Sequence, residues 1–161
     1  MSDPIPDRPN LGAIIPAAAN EGEGLLPWAW ARERLEASRN YWLSTVNEDG
    51  TPHAMPVWGV WLDERFCFST ATQSRKARNF LRAPACVVTT ELASEAVIIE
   101  GKVTAMADGT VANFLGAYVA KYGPSLDASY APFWVVRPER VFGFIESEER
   151  FATTATRWRF G

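Results

Sequence analysis

Apolar residues recur at helical spacing at Trp28, Ala31 and Leu35, behind a proline that suits a first helical position, which predicts a helix from Pro27 to about Arg39. The period then switches to that of a strand. Tyr41 to Val46 is aromatic and β-branched, and Asn47-Glu48-Asp49-Gly50 supplies a hairpin turn whose Gly50 can take positive φ. Thr51 to Leu62 is the next predicted strand. Pro52 and Pro56 within it remove ladder donors, so it needs an open edge or a bulge near them. Asp63-Glu64 turns the chain into Arg65 to Thr70, where Phe66 and Phe68 alternate with Cys67 and Ser69. Ser74 then caps a helix whose apolar positions Ala77, Phe80 and Leu81 return at helical spacing before Pro84.

Ala85 to Thr90 and Glu95 to Ala105 read as two further strands, and the run Val97-Ile98-Ile99 predicts burial on both faces of the second. Gly109 to Lys121 reads as a helix through Val111, Phe114, Leu115, Tyr118 and Val119, ending near Gly123-Pro124. Phe133 to Arg137 and Val141 to Glu146 are the last strands of this run, divided by Pro138. This order lacks the regular β-α alternation of a parallel sheet. The predicted fold class is α+β, predominantly β: an antiparallel barrel of six or seven strands with short flanking helices. No internal repeat is visible.

Composition bounds this picture without changing it. At 161 residues and 47% hydrophobic content the chain is one domain by length, able to bury roughly 70% of the surface its unfolded form exposes. No uncharged apolar run approaches the ~18 residues of a membrane span, and Asp3 and Asp7 stand where a signal peptide would be basic, which predicts a cytoplasmic protein with no membrane partner. Cys67 and Cys86 lie in apolar segments without Cys-x-x-Cys spacing and read as reduced core residues. Residues 1–26 differ: they hold four of the eleven prolines, and Asp3, Asp7, Glu21 and Glu23 against Arg8 alone. That segment accounts for the net charge of −3 and leaves residues 27–161 neutral. It is expected to be an arm, disordered or draped over a partner surface, preceding a domain over 27–161.

The segment from Phe66 to Leu81 carries the clearest chemistry. A strand ends in Ser69 and Thr70, and a helix begins after Ser74 with Arg75 and Lys76. Unpaired N–H groups and the positive end of the helix dipole favour an anion there; the two cations and the hydroxyls add to that preference. On the tripeptide Ser74-Arg75-Lys76 alone, an ordinary capped surface helix with a solvated basic face is the better reading. The strand context and the local charge favour the anion site: Arg75, Lys76, Arg78 and Arg82 fall within eight residues containing no acid, in a chain that is net acidic. Local charge suits a small anionic cofactor rather than nucleic acid, which calls for a basic face or domain.

This stretch resembles the phosphate-binding segment of the pyridoxamine 5'-phosphate oxidase-like, or flavin-reductase-like, split-barrel proteins. Their pattern is a strand, a hydroxyl residue, three variable residues, Ser-Arg-Lys, and an amphipathic helix ending near a proline; here it reads Ser69-Thr70, Ala71 to Gln73, Ser74-Arg75-Lys76, and Pro84. The resemblance runs from about Trp28 to the C-terminus and is strongest from Tyr41 to Gly101. It implies a split β-barrel that binds FMN, with the phosphate held by Ser69, Thr70, Ser74, Arg75 and Lys76. The deazaflavin coenzyme F-420 is the alternative cofactor. His53 to Trp61 looks like the family's flavin-edge strand, with Met55, Pro56, Val57 and Trp58 against the ring, since a proline in a ladder frees neighbouring backbone groups to read a ligand edge. By pattern alone Pro56 could equally mark a bulge, with Trp58 and Trp61 filling the core. The resemblance further implies a homodimer with the cofactor between subunits, and Arg157 and Trp158 brought over it from the C-terminus. A final strand with charged alternation is the other reading of Thr156 to Phe160.

Two departures argue against pyridoxamine-phosphate oxidase activity itself. Ala96 stands where that enzyme carries a Gln, and the chain ends Arg157-Trp158-Arg159-Phe160-Gly161 in place of its Arg-x-His. His53 is the only histidine and has no partners at metal-ligand spacing; a Ser-His-Asp relay is possible on paper but no nucleophile-elbow motif supports it, so His53 reads as a structural or rim residue. No side chain is thus assigned as catalytic. A flavin would carry the chemistry, moving hydride or electrons to a flat, conjugated small-molecule substrate. A non-catalytic flavin- or tetrapyrrole-binding protein remains the other class, with His53 as the one residue able to ligate haem iron.

Overall fold

The computed structural model describes residues 3–10 and 23–160. Its strands and helices follow in the order β1 (Ile5–Asp7), α1 (Trp28–Ala37), β2 (Tyr41–Val46), β3 (Pro52–Val57), β4 (Gly59–Leu62), β5 (Arg65–Ser69), α2 (Arg75–Arg82), β6 (Ala85–Thr90), β7 (Glu95–Ala105), α3 (Asp108–Tyr122), β8 (Phe133–Ile145), α4 (Phe151–Thr154) and β9 (Thr156–Arg159). Pro27 is the extended residue preceding α1 rather than its first helical residue. All nine strands join one antiparallel sheet, ordered β1-β9-β8-β7-β6-β2-β3, with β5 pairing both β4 and β8. This is an α+β split barrel, left open along β3. The described residues hold nine strands where six or seven were expected.

Three physical causes account for the difference. The stretch expected as one strand over Thr51–Leu62 breaks at Trp58: β3 pairs only with β2, whereas β4 turns away to pair with β5. Gly59 starts β4 because a Cβ there would meet the Phe66 ring at 2.3 Å and the Cys67 carbonyl oxygen at 2.8 Å. Pro138 does not divide β8. It lies between Phe133–Val136, which pairs with β5, and Arg140–Gly143, which pairs with β9, at a β-bulge opposite Glu100 and Gly101, so its missing N–H interrupts neither ladder. Lastly, β1 and β9 add strands at the far edge.

Residues 3–10, expected in an arm apart from the domain, therefore belong partly to its sheet. Arg8 fixes them further, its guanidinium donating to the carbonyls of Ala152 and Thr153. The part of the expected arm over 11–22 lies outside the described residues.

The barrel interior is built by the alternation of β2, β5, β6 and β7, which turns Tyr41, Leu43, Phe66, Phe68, Val88, Val97 and Ile99 inward, all fully buried. Ile98 is only half-buried, so the expected two-sided burial of Val97-Ile98-Ile99 gives way to ordinary alternation. A second cluster forms on the opposite face, where α3 lays Phe114 and Tyr118 over Val60, Cys67, Phe133 and Val135. Cys67 and Cys86 are buried and free, and burial pushes both thiols up to about 12. No described helix is long and apolar enough to cross a membrane.

Candidate functional site

The start of α2 is a built helix cap. Ser74 is extended (φ −64°, ψ 152°), and its hydroxyl accepts from the Ala77 N–H at 3.2 Å and lies 3.2 Å from the Thr70 hydroxyl. The Trp134 indole donates to the Thr70 carbonyl at 3.1 Å, so the loop entering the helix is pinned to β8. Ser69 does not join this pair: strand alternation puts it on the Cys67 side of β5, towards α3. Arg75 and Lys76 occupy the first turn, and neither side chain makes a hydrogen bond or ion pair among the described residues. Partial burial holds the Lys76 ammonium below its ordinary pKa. The Arg75 and Lys76 side chains, the two backbone N–H groups of the same residues and the adjacent Thr70 and Ser74 hydroxyls form a site for an anion; the Ala77 and Arg78 N–H groups are already taken up by Ser74.

Behind this cap the helix is anchored to β2. Asn79 is buried, and its amide donates to Thr45 Oγ1 and Asn47 Oδ1, both at 3.0 Å, while Arg82 donates to the Val46 carbonyl at 2.8 Å. On its solvent side an open cleft separates Arg75, Arg78 and Arg82 from the 47–49 turn, where Gly50 takes φ +84° as expected.

Strand β3 is the free edge of the sheet beside this helix. Its register sets His53 against Thr45, Met55 against Leu43 and Val57 against Tyr41. Met55 and Pro56 are exposed and Val57 is buried, so the strand offers an apolar rim whose outward backbone groups have no strand partner among the described residues. Trp58, at the break, is not a core residue: it is 41% exposed, its ring stacks on Tyr122 (4.7 Å, 6°), and its Nε1 donates to Asn40 Oδ1. Trp61, by contrast, is buried in the barrel.

The C-terminal turn of α3 holds this break in place, which sequence reasoning missed. Gly59 N–H donates to the Tyr122 hydroxyl at 3.1 Å, and Lys121 Nζ donates to the Gly59 carbonyl at 3.1 Å and to the Tyr41 hydroxyl at 2.8 Å. Burial pushes the Lys121 ammonium down to about 8. The only sequence signal was the placing of both residues at the end of a predicted helix.

The structure does not bring the expected C-terminal pair to this site. Trp158 is fully buried against Trp28 and Gly143, where it has no free face for a ligand. Arg157 is engaged by Asp7 of β1 through two hydrogen bonds of 2.7 and 2.6 Å. The charged alternation of a final strand is the arrangement present.

A family model described as pyridoxamine 5'-phosphate oxidase matches residues 29–151. The chain belongs to the pyridoxamine 5'-phosphate oxidase-like family. Among solved structures, a protein titled F420 reductase is 27% identical, with a TM-score of 0.56, over 76% of this chain and 98% of its own. A haem-binding protein from Mycobacterium smegmatis (23% identity, TM-score 0.60) aligns over 73% of this chain and 54% of its own. An FAD-binding protein from Mesorhizobium loti (16%, TM-score 0.57) aligns over 82% and 94% respectively. The last two share the fold of this family member. No curated protein sequence matches.

Proposed function

We propose that this protein is a flavin-dependent oxidoreductase that binds FMN, with the phosphate at the start of α2 and the ring along the free edge of β3. The observation that carries the reading is the pair Arg75 and Lys76, whose side chains make no hydrogen bond or ion pair among the described residues, at a capped helix N-terminus next to an apolar strand edge that no described strand pairs with. Arg75, Lys76 and the Thr70 and Ser74 hydroxyls hold the phosphate, with Ser69 behind them at the strand end. Met55, Pro56, Val57 and the backbone of Trp58 line the ring, and Lys121 and Tyr122 fix that backbone from α3. A bound flavin supplies hydride or electron transfer to a planar small molecule, so the chain needs no acid, base or nucleophile of its own. Ala96 and the C-terminus speak against pyridoxamine phosphate as that molecule.

The F420 reductase similarity favours a second reading, in which a deazaflavin occupies the same clamp and edge. A two-fold homodimer completes either reading, covering the exposed Trp42, Val46 and Met55 beside the open edge. The test is a visible spectrum of the purified protein, followed by side-by-side titration of FMN and F-420 into the apo-protein. FMN binding at least tenfold tighter supports the first reading, the reverse supports the second, and binding of neither removes both.

A further inference from the structure

We infer that His53 is a further ligand of the anion at the start of α2, donating from Nδ1 to a phosphate oxygen, and that this contact couples cofactor binding to proton uptake. The inference rests on reading that helix start as a phosphate site. Its geometry comes from β3: His53 pairs with Thr45, whose hydroxyl accepts from Asn79 of α2, so the imidazole lies on the sheet face that α2 covers. The His53 Nδ1 atom is buried and has no hydrogen-bond partner among the described residues. An imidazole nitrogen in that position is costly unless something fills its bond.

The surrounding charges say what fills it. From α2, Arg75 and Lys76 act on the ring; from β2 its register partner is the uncharged Thr45; its neighbours on β3 are Pro52 and Ala54. The acids Glu48 and Asp49 lie across the cleft from Arg75, Arg78 and Arg82, and Asp49 is engaged by Thr51. Burial first, then Arg75 and Lys76, hold the imidazole below its ordinary 6.5. A phosphate monoester carries about −1.5 to −2 charges near neutral pH, and placed among these groups it offsets the field of the two cations at the ring. Ligand binding then raises the pH at which His53 titrates. By linkage, protonated His53 tightens binding, so His53 adds affinity as pH falls through that window and adds least above it.

Because His53 is the only histidine, its ring resonances are unambiguous in an NMR titration. The midpoint is measured for the full chain alone and with inorganic phosphate, FMN or riboflavin, which lacks the phosphate. The expected result is a midpoint about one pH unit higher with FMN or phosphate and unmoved by riboflavin. Correspondingly, the ratio of FMN dissociation constants, His53→Gln over wild type, grows from near one at pH 8 to about tenfold at pH 5.5. That ratio cancels the titration of the phosphate itself. If FMN binds and Arg75→Ala weakens it while the His53 midpoint stays fixed, this inference is overturned and the phosphate site stands. If Arg75→Ala has no effect on FMN or phosphate binding, or neither binds, the site itself is wrong and the inference falls with it. Riboflavin shifting the midpoint as far as FMN would overturn the phosphate contact. The wild-type titration decides the matter even if His53→Gln does not fold.

Discussion

Trp158 packs edge-on against Trp28, with ring centroids 5.4 Å apart and planes at 66°, and no part of its indole reaches solvent. Trp28 in turn meets Trp61 of β4 at 6.1 Å, so the chain's last strand, its first helix and the barrel wall share one aromatic cluster. Trp158→Ala removes a fully buried ring and is expected to cost about 3–5 kcal/mol of stability. Denaturant unfolding measures that loss. Reoxidation of reduced flavin by quinone acceptors should fall only in proportion to folded protein, and a selective loss with full stability would restore Trp158 to the ligand.

Asp7 ties β1 to β9 through Arg157, and these hydrogen bonds hold its carboxyl below the ordinary 3.8. A lowered carboxylate pKa contributes stability that is present above the unfolded value and lost as pH falls through the folded one. Asp7→Asn should therefore cost under about 1 kcal/mol at pH 7, because the pair is partly exposed, with a small drop in melting temperature, and its difference from wild type should close as pH falls through the folded-state value of Asp7. Thermal melts across pH 2.5 to 7 check the convergence.

Much of the barrel was legible because burial alternates along each strand. Phe66 and Phe68 go in, and Ser74 caps because its hydroxyl meets the Ala77 N–H. What the sequence could not reveal depends on which strands meet. Pro138 looked like a strand end because nothing local shows that β8 changes partner from β5 to β9 there. Trp58 and Trp61 look alike in the chain, yet the break at Gly59 sends one to the rim and the other to the core. Asp7 looked like part of an arm apart from the domain because nothing local shows its partner Arg157, 150 residues away. At the candidate site the cap and cations were readable, whereas His53 joins them only through the register of β2 with β3.

The open edge of β3 and the exposed Trp42 and Met55 predict a stable dimer. Sedimentation at micromolar concentration should give about twice the 17.9 kDa chain mass, and Trp42→Glu should shift the equilibrium towards monomer. A wild-type monomer at that concentration would contradict the assembly.

The central claim is that Arg75 and Lys76 hold the cofactor phosphate, and FMN titration into the wild-type apo-protein beside Arg75→Ala and Lys76→Ala tests it most directly. A hydrogen bond to a charged group is worth about 1.5–3 kcal/mol, so each substitution should weaken FMN by roughly ten- to hundred-fold while riboflavin binding changes little. Unchanged FMN affinity in both folded variants would contradict the account.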